Sequence, residues 1–217
     1  MDPFAIGSHA VRPTLPLDVL AGLTLIAVLP FLLIMTTSFV RIVVVLSLVR
    51  SAIGASSLPP NAVLSGLAFL LTLVVMAPTL EQVRTSAIEP YTHGRIRQTE
   101  MLARAFRPLS QFMWRQTRRK DLALFARIAK VKENAASSAP FVLAPAFVVG
   151  ELRTAFAIGF SLYLPFVAID LAVASILMGL GMFMLSPPII SLPCKLLLFV
   201  MVDGWALVCG GVVGSFR

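Results

Sequence analysis

Charged residues are scarce in this chain of 217 residues. Asp, Glu, Lys and Arg make up 13% of it, about half the ~25% that is usual in soluble domains. Hydrophobic residues make up 58%, above the usual ~45–50%. So few charges do not cover the surface of a soluble protein of this size. The composition therefore excludes a disordered chain and most soluble enzymes, and it indicates a membrane protein.

The side chains that carry most enzyme chemistry are also rare. The two histidines, His9 and His93, are isolated, and the two cysteines, Cys194 and Cys209, lie in apolar runs without a CxxC spacing. No HExxH, P-loop, GxSxG or GxGxxG motif is present. The sequence therefore predicts neither an enzyme nor a metal or cofactor site, and the cysteines are expected to be small buried hydrophobic residues.

The charges that are present concentrate in one segment. Residues 81–140 hold 12 basic and 5 acidic residues, a net charge of +7, whereas the remaining 157 residues hold 6 and 5, a net charge of +1. We therefore expect three parts: a hydrophobic helical region at 17–80, a charged insert at 81–140 and a second hydrophobic helical region at 141–217.

The insert has the pattern of short amphipathic helices that end in a linker at residues 135–140. Leu109, Phe112, Met113 and Gln116 follow helical spacing, and Asp121 is placed to cap a further helix. Its basic face could bind nucleic acid, but it has few aromatic residues, so a solvated surface is favoured. Contact with anionic lipid headgroups is the other alternative.

Four apolar segments surround the insert, at residues 17–49, 62–80, 154–185 and 189–213. The first has 33 residues, about 50 Å of helix, which is too long for one upright span. A polar break at residues 35–38 predicts a bend or two helical pieces. No clear cleavable signal is seen in residues 1–16. The sequence thus predicts an all-α, multi-pass membrane protein with long broken helices.

Ionisable residues inside the apolar segments are the first candidate site. Each is costly in lipid and is expected to face protein or water. They could form an ion path, but no chain of carboxylates or histidines lines up, so a structural role as buried ion pairs is favoured. Lys195 and Asp203, eight residues apart, are expected on one helix face but too far apart to pair. The candidates are Arg41, Asp170, Lys195 and Asp203.

A cluster of flexible apolar side chains is the second candidate site. Methionine repacks against varied surfaces, so several copies of such a segment could seal a pore and yield to a passing chain. Spacing alone favours ordinary core methionines instead. Two intervening glycines and a Ser-Pro-Pro break at residues 186–188 favour a loop and strengthen the pore hypothesis. The candidates are Met178, Met182, Phe183 and Met184.

Several long motifs resemble those of the FliP (SctR) family. They are TSFVRIVVVL at residues 37–46 followed by PPN at 59–61, RQTR within 111–127, PAFV at 145–148, EL at 151–152, TAF at 154–156, and SLP, KLLLFV and VDGW within 191–205. The resemblance covers roughly residues 20–215, nearly the whole chain, and such motifs rarely occur outside this family. The LSLVR and RQTR runs favour the flagellar over the virulence branch.

The resemblance implies a non-enzymatic pore subunit of the type III protein export gate in the bacterial inner membrane, within a flagellar basal body or a virulence injectisome. It implies a pentamer with FliQ-like and FliR-like subunits that passes unfolded proteins, without nucleic acid or cofactor. Met182, Phe183 and Met184 match the family's methionine run, with Phe at one position. The alternative is a small secondary transporter or ion channel that uses Asp170, Lys195 and Asp203.

The resemblance also implies that the 81–140 insert lies on the periplasmic side of the membrane. The charge of the insert argues the other way, because Lys and Arg are enriched in cytoplasmic loops. At about 60 residues the insert has the length at which that tendency weakens. We therefore expect the periplasmic side.

Overall fold

The computed structural model of the chain describes residues 17–55, 58–132 and 139–216. The chain divides into two units, residues 1–33 and 34–217. All regular structure in the described ranges is helical, as the sequence predicted. Residues 17–33 of the first unit belong to helix α1 (Leu17–Thr36), which continues through Pro30. The predictions for residues 1–16 and for most of the 135–140 linker fall outside the described residues.

The first apolar segment forms two helical pieces, as its polar break predicted. Helix α2 (Phe39–Ile53) begins after α1 ends at Thr36. It stops at Gly54, whose φ of 84° is left-handed and whose backbone N–H donates to the carbonyl of Ser51. Glycine adopts this conformation at no steric cost, so it ends the helix cleanly.

Helix α3 (Asn61–Val83) extends well beyond the uncharged run at residues 62–80. It continues through a π-helical turn (Arg84–Ile88) into the short helix α4 (Glu89–Thr92). The result is one helix of 32 residues, Asn61–Thr92. The first residues of the charged segment thus prolong an apolar helix instead of forming a separate one.

The amphipathic part of the insert forms helix α5 (Gln98–Gln116) and helix α6 (Arg119–Ile128). The predicted stripe lies on α5, where Met113 is fully buried and the Phe112 ring packs edge-on against Phe147. The sequence predicted that Asp121 caps α6, and this is wrong. The helix already begins at Arg119, so Asp121 lies in its first turn. The Asp121 side chain is instead buried against a later helix.

Helix α7 (Pro140–Gly179) has 40 residues and begins well before the apolar segment predicted to start at residue 154. At 1.5 Å per residue it is about 60 Å long, twice the ~30 Å hydrocarbon thickness of a bilayer. The hydrophobic pattern was interrupted by Glu151 and Arg153, but both are ion-paired and the helix runs through them.

The last apolar segment is bent. Helix α8 (Pro187–Met201) and helix α9 (Gly204–Gly214) meet at 65°. Asp203 lies at the junction with a left-handed φ of 50°, and a Cβ on Gly204 would come within 2.3 Å of the Phe199 ring. The expectation that Lys195 and Asp203 share one helix face is therefore wrong, because the helix breaks between them.

The main core of the second unit is built around α2. Its side chains pack against α3, α7, α8 and α9, and α2 meets α7 where Gly159 faces Leu48. A Cβ on Gly159 would lie 2.3 Å from Leu48 Cδ1 and 3.0 Å from Leu48 Cβ, so this close approach requires glycine. The buried core residues are Ile42, Val45, Leu46, Val49, Ala52, Ile53, Leu64, Ala68, Ala155, Phe166, Phe199, Val208 and Val212.

Much of the apolar surface remains uncovered. Among the described residues, Asn61–Thr92 and Pro140–Gly179 are long and apolar enough to cross a membrane, and the total reaches four if each bent helix pair counts as one span. In their most apolar stretches only 28% and 11% of the residues are buried. Lipid or other protein must cover these faces, because soluble monomeric proteins rarely expose apolar patches this large to water.

Candidate functional site

A buried ion pair joins α2 to α7. Arg41 Nε lies 2.8 Å from Glu151 Oε2, and Arg41 Nη2 lies 2.5 Å from Glu151 Oε1. The two planar groups therefore bond in the two-pronged geometry that favours arginine over lysine. Arg41 is 2% exposed and Glu151 is fully buried. Removing either partner would leave an unpaired charge in an apolar core.

The remaining donors of Arg41 bind two further parts of the chain. Nη1 donates to both the carbonyl and the hydroxyl of Ser215, at 2.9 Å, just after α9. Nη2 also donates to Gln116 Oε1 at 3.3 Å, at the end of α5. The guanidinium carbon lies 3.7 Å from the centre of the Phe216 ring, a cation–π contact. One side chain thus connects α2, α5, α7 and the C-terminal turn.

A second ion pair joins α7 to α8. Lys195 Nζ lies 2.6 Å from Asp170 Oδ2, and the Ser191 hydroxyl donates to Asp170 Oδ1 at 2.5 Å. Lys195 is 6% exposed and Ser191 is fully buried, whereas the Asp170 side chain keeps 35% of its surface accessible. Both carboxylate oxygens of Asp170 are therefore engaged within the chain.

A third pair joins α6 to α7. Arg153 Nη1 lies 2.9 Å from Asp121 Oδ1 and 3.0 Å from Oδ2. The carboxylate is 3% exposed, but the Arg153 side chain is 42% exposed. This contact fixes the first turn of α6 beside α7, while leaving a cation at the surface.

The structure brings together only two of the four ionisable residues singled out in the sequence. Asp170 and Lys195 bond each other, whereas Arg41 bonds Glu151. Asp203 is exposed at the α8–α9 junction and has no ion pair with any residue that the structure describes. The roles predicted for these side chains stay predictions.

The predicted loop is present between α7 and α8. Residues 180–186 contain no helix, and Gly181 has a left-handed φ of 74°. Met178, in the last turn of α7, is 59% exposed, and within the turn the exposed fraction rises from 44% for Met182 to 80% for Phe183 and 100% for Met184. These side chains are not core methionines within one chain, so they are available to contact another molecule.

Sequence reasoning missed Glu151, Asp121 and Arg153. Glu151 carries a usable signal, since it is a lone carboxylate in an apolar run, but it was placed outside the apolar segment. Its partner Arg41 is 110 residues away, and no local spacing predicts a pairing of that range. Asp121 and Arg153 lie 32 residues apart in segments that looked unrelated.

No group of three or more His, Cys, Asp or Glu side chains in the described ranges is arranged to hold a metal ion. The buried charged side chains that the structure describes, Arg41, Asp121, Glu151 and Lys195, each form an ion pair. Fold and site together define a class: an all-helical protein with at least two helices long and apolar enough to cross a membrane, held together by buried ion pairs.

Comparison with known proteins identifies the family within this class. The model of the FliP family matches residues 22–212. A flagellar biosynthetic protein FliP of Pectobacterium carotovorum is 49% identical over 205 residues, covering 94% of this chain and 80% of the relative. One from Caulobacter vibrioides is 51% identical over 201 residues, covering 91% and 76%. One from Bacillus subtilis is 47% identical over 196 residues, covering 89% of each.

The chain belongs to the FliP family. The match confirms the resemblance found in the motifs, and the flagellar names of these relatives support the flagellar branch that two short runs favoured.

Proposed function

We propose that this chain is a pore-forming subunit of the flagellar type III protein export gate, through which unfolded subunits cross the inner membrane. The observation that carries the proposal is the match to flagellar biosynthetic FliP proteins along nearly the whole chain. The fold is compatible with this function. The long apolar helices contain charged residues whose partners lie within the protein, and polar groups at membrane depth are tolerated only when they are buried in protein or line a water-filled cavity.

The uncovered apolar faces support assembly into a larger complex. Only 11% of the most apolar stretch of α7 is buried in the single chain, although this helix is twice as long as a bilayer core. Lipid cannot cover its whole length. We propose that further copies of this chain, as a pentamer, together with FliQ-like and FliR-like subunits, cover the rest in the inner membrane.

The ion pairs support a structural rather than a transport role. Asp170 accepts hydrogen bonds from Lys195 and Ser191, and Arg41 donates hydrogen bonds to Glu151, Ser215 and other side chains. Both oxygens of Asp170 are held by Lys195 and Ser191, and neither of these residues bonds a further carboxylate or histidine among the described residues that could pass a proton or an ion onwards. The secondary transporter or ion channel is therefore the less favoured function.

The exposed turn between α7 and α8 is our candidate for the pore constriction. Met182, Phe183 and Met184 lie in the turn and Met178 precedes it at the end of α7, and all four are apolar and exposed in the single chain. Several copies placed around an axis would form an apolar plug, and unbranched methionine side chains would adapt to a translocating chain. Phe183 supplies bulk where a more flexible methionine is absent, which makes the plug stiffer at that point.

The experiment that tests the function is gene replacement. In a flagellated host that lacks its own copy, this chain should restore secretion of filament subunits. Asp170→Asn should lower assembly, because Lys195 then keeps an unpaired buried charge. The double variant Asp170→Asn with Lys195→Met should recover assembly and at least half of the secretion. Asp203→Asn, at the exposed carboxylate, is the matched control and should behave like the native chain.

Failure of the native chain to restore secretion despite normal accumulation in the membrane would contradict the export function. If Asp170→Asn and the double variant both assemble fully yet abolish transport, Asp170 belongs to an ion path and the alternative function stands.

The pore role of the turn predicts a leak. Replacing Phe183 and Met184 by serine should make cells permeable to a small, normally excluded dye, because the plug loses apolar contacts between copies. Met201→Ser removes a methionine that is 75% exposed outside the turn and should cause no leak. Equal dye uptake by turn variant and control, with normal assembly of both, would exclude the turn as the constriction.

We propose that the charged insert lies on the periplasmic side. To test this, the native cysteines are replaced and a single cysteine is introduced at Ala103 or Ala129, both exposed. A membrane-impermeant maleimide should label these positions in intact cells. Protection in intact cells with full labelling after lysis would place the insert in the cytoplasm.

A further inference from the structure

We propose that the turn between α5 and α6 binds the headgroups of anionic phospholipids. The site is a basic corner made of Arg118, Arg119, Lys120 and Arg153. The inference rests on the proposed membrane placement of the chain, but it does not depend on protein export. Three observations carry it: the position of the corner along α7, the polar end of α3 in the same part of the fold, and three exposed cations without an ion pair to a described residue.

The basic corner lies where α7 changes character. Before Arg153, α7 is largely buried against α5 and α6, with Phe147, Gly150 and Glu151 inaccessible. After it, residues 154–169 carry no charge, which amounts to about 24 Å of apolar helix. Arg153 is thus the last cation before a stretch that nearly matches the hydrocarbon thickness. Headgroups are expected beside it.

The polar end of α3 lies in the same part of the second unit. Its uncharged run at residues 62–80 ends before Glu81, and the next residue, Gln82, lines a cavity of about 300 Å³ together with Gln116. Gln116 in turn accepts from Arg41, the partner of Glu151 on α7. The shared cavity and the two hydrogen bonds of Arg41 bring the polar end of α3 into the region of Glu151, two residues from Arg153. Two apolar helices that become polar in the same region are what a membrane surface requires.

Three of the four cations of the basic corner have no ion pair with a residue that the structure describes. Arg118, Arg119 and Lys120 are exposed, and none of them forms an ion pair with a described residue. The carboxylate nearby, Asp121, is buried and engaged by Arg153. Counting these five groups, four cations face one carboxylate, so the surface keeps a net charge of +3.

The chemistry of the corner fits a phosphodiester. Arginine binds phosphate oxygens through two parallel N–H donors, and lysine adds a compact point charge. No side chain caps the N-terminus of α6, and the partial positive charge of its first-turn backbone N–H groups adds to the attraction for a phosphate. An acidic protein surface would also match the charge, but lipid headgroups are expected in the region where both apolar helices become polar.

A second set of cations, at the C-terminal end of α6, provides a matched control. Arg127 lies in the last turn of α6 and Lys130 and Lys132 come just after it; all three are exposed, and this end of α6 packs near Val142. Residue 142 lies about 16 Å along α7 from residue 153. Neutralising either set changes the net charge by the same three units, so only position distinguishes them.

The test measures lipid binding to the purified full-length chain in neutral detergent. Short-chain phosphatidylglycerol is titrated, with short-chain phosphatidylcholine and inorganic phosphate as the comparison ligands. We expect the native chain to bind phosphatidylglycerol at least about tenfold more tightly than phosphatidylcholine at low salt, since ion pairing with phosphate weakens as salt screens it. Replacing Arg118, Arg119 and Lys120 by glutamine should abolish this preference. The glutamine variant of the control set should retain it.

Three outcomes would overturn the proposal: no preference in the native chain, equal loss in both triple variants, or full competition by millimolar inorganic phosphate. If the corner variant keeps the lipid preference but loses self-association, the corner contacts protein instead and the proposal is wrong. Should the triple variant not accumulate, Arg119→Gln compared with Arg127→Gln gives the same test. Restored filament-subunit secretion alongside lost lipid preference would leave the export function intact.

Discussion

The Arg41–Glu151 pair is the contact on which the rest of the second unit depends. A charge inside an apolar core is tolerated only when its partners are close and its donors are used. Arg41 meets this condition with four segments that are distant in the sequence: α2, the end of α5, α7 and the turn after α9. The buried charge of Arg41 is therefore tolerated only when these four segments meet around it, and this requirement constrains how they pack.

The three ion pairs attach three different parts of the protein to α7. The contact of Glu151 with Arg41 anchors the α2 core, Arg153 with Asp121 holds the amphipathic insert, and Asp170 with Lys195 attaches the bent α8. On this 40-residue helix Glu151 and Arg153 are two residues apart, and Asp170 lies about five turns further along. Between them the side chains are apolar and in large part exposed. The helix is thus fixed at three points and leaves its other faces to neighbouring subunits or lipid.

The sequence was informative where the signal is local. Uncharged runs, the polar break at residues 35–38 and the Gly and Pro residues near 186 predicted the helices and the turn between α7 and α8. It failed where a pairing is long-range: Glu151 was read as a boundary of the apolar segment, although its partner lies 110 residues earlier. It also failed at Asp203, since a left-handed backbone at a non-glycine residue has no sequence pattern.

The 58% of hydrophobic residues first suggested a simple multi-span membrane protein. The exposed faces of α3 and α7, the 60 Å length of α7 and its interior charges fit a different use, in which much of the apolar surface faces other subunits of an export assembly. The charged insert completes the picture, because its helices pack on α7 through Phe147 and Asp121 instead of forming a core of their own.

The central claim is tested most directly by a double-mutant cycle on the buried pair, measured as the free energy of unfolding of the purified chain in detergent. Arg41→Met or Glu151→Leu alone should cost about 3–5 kcal/mol, and the double variant should cost much less than the sum. The exposed Arg104–Glu100 pair, with N and O 2.6 Å apart compared with 2.5 Å in the buried pair, is the control and should show at most about 0.5 kcal/mol of coupling. Single losses no larger than those of the control, or strict additivity in the double variant, would contradict the account.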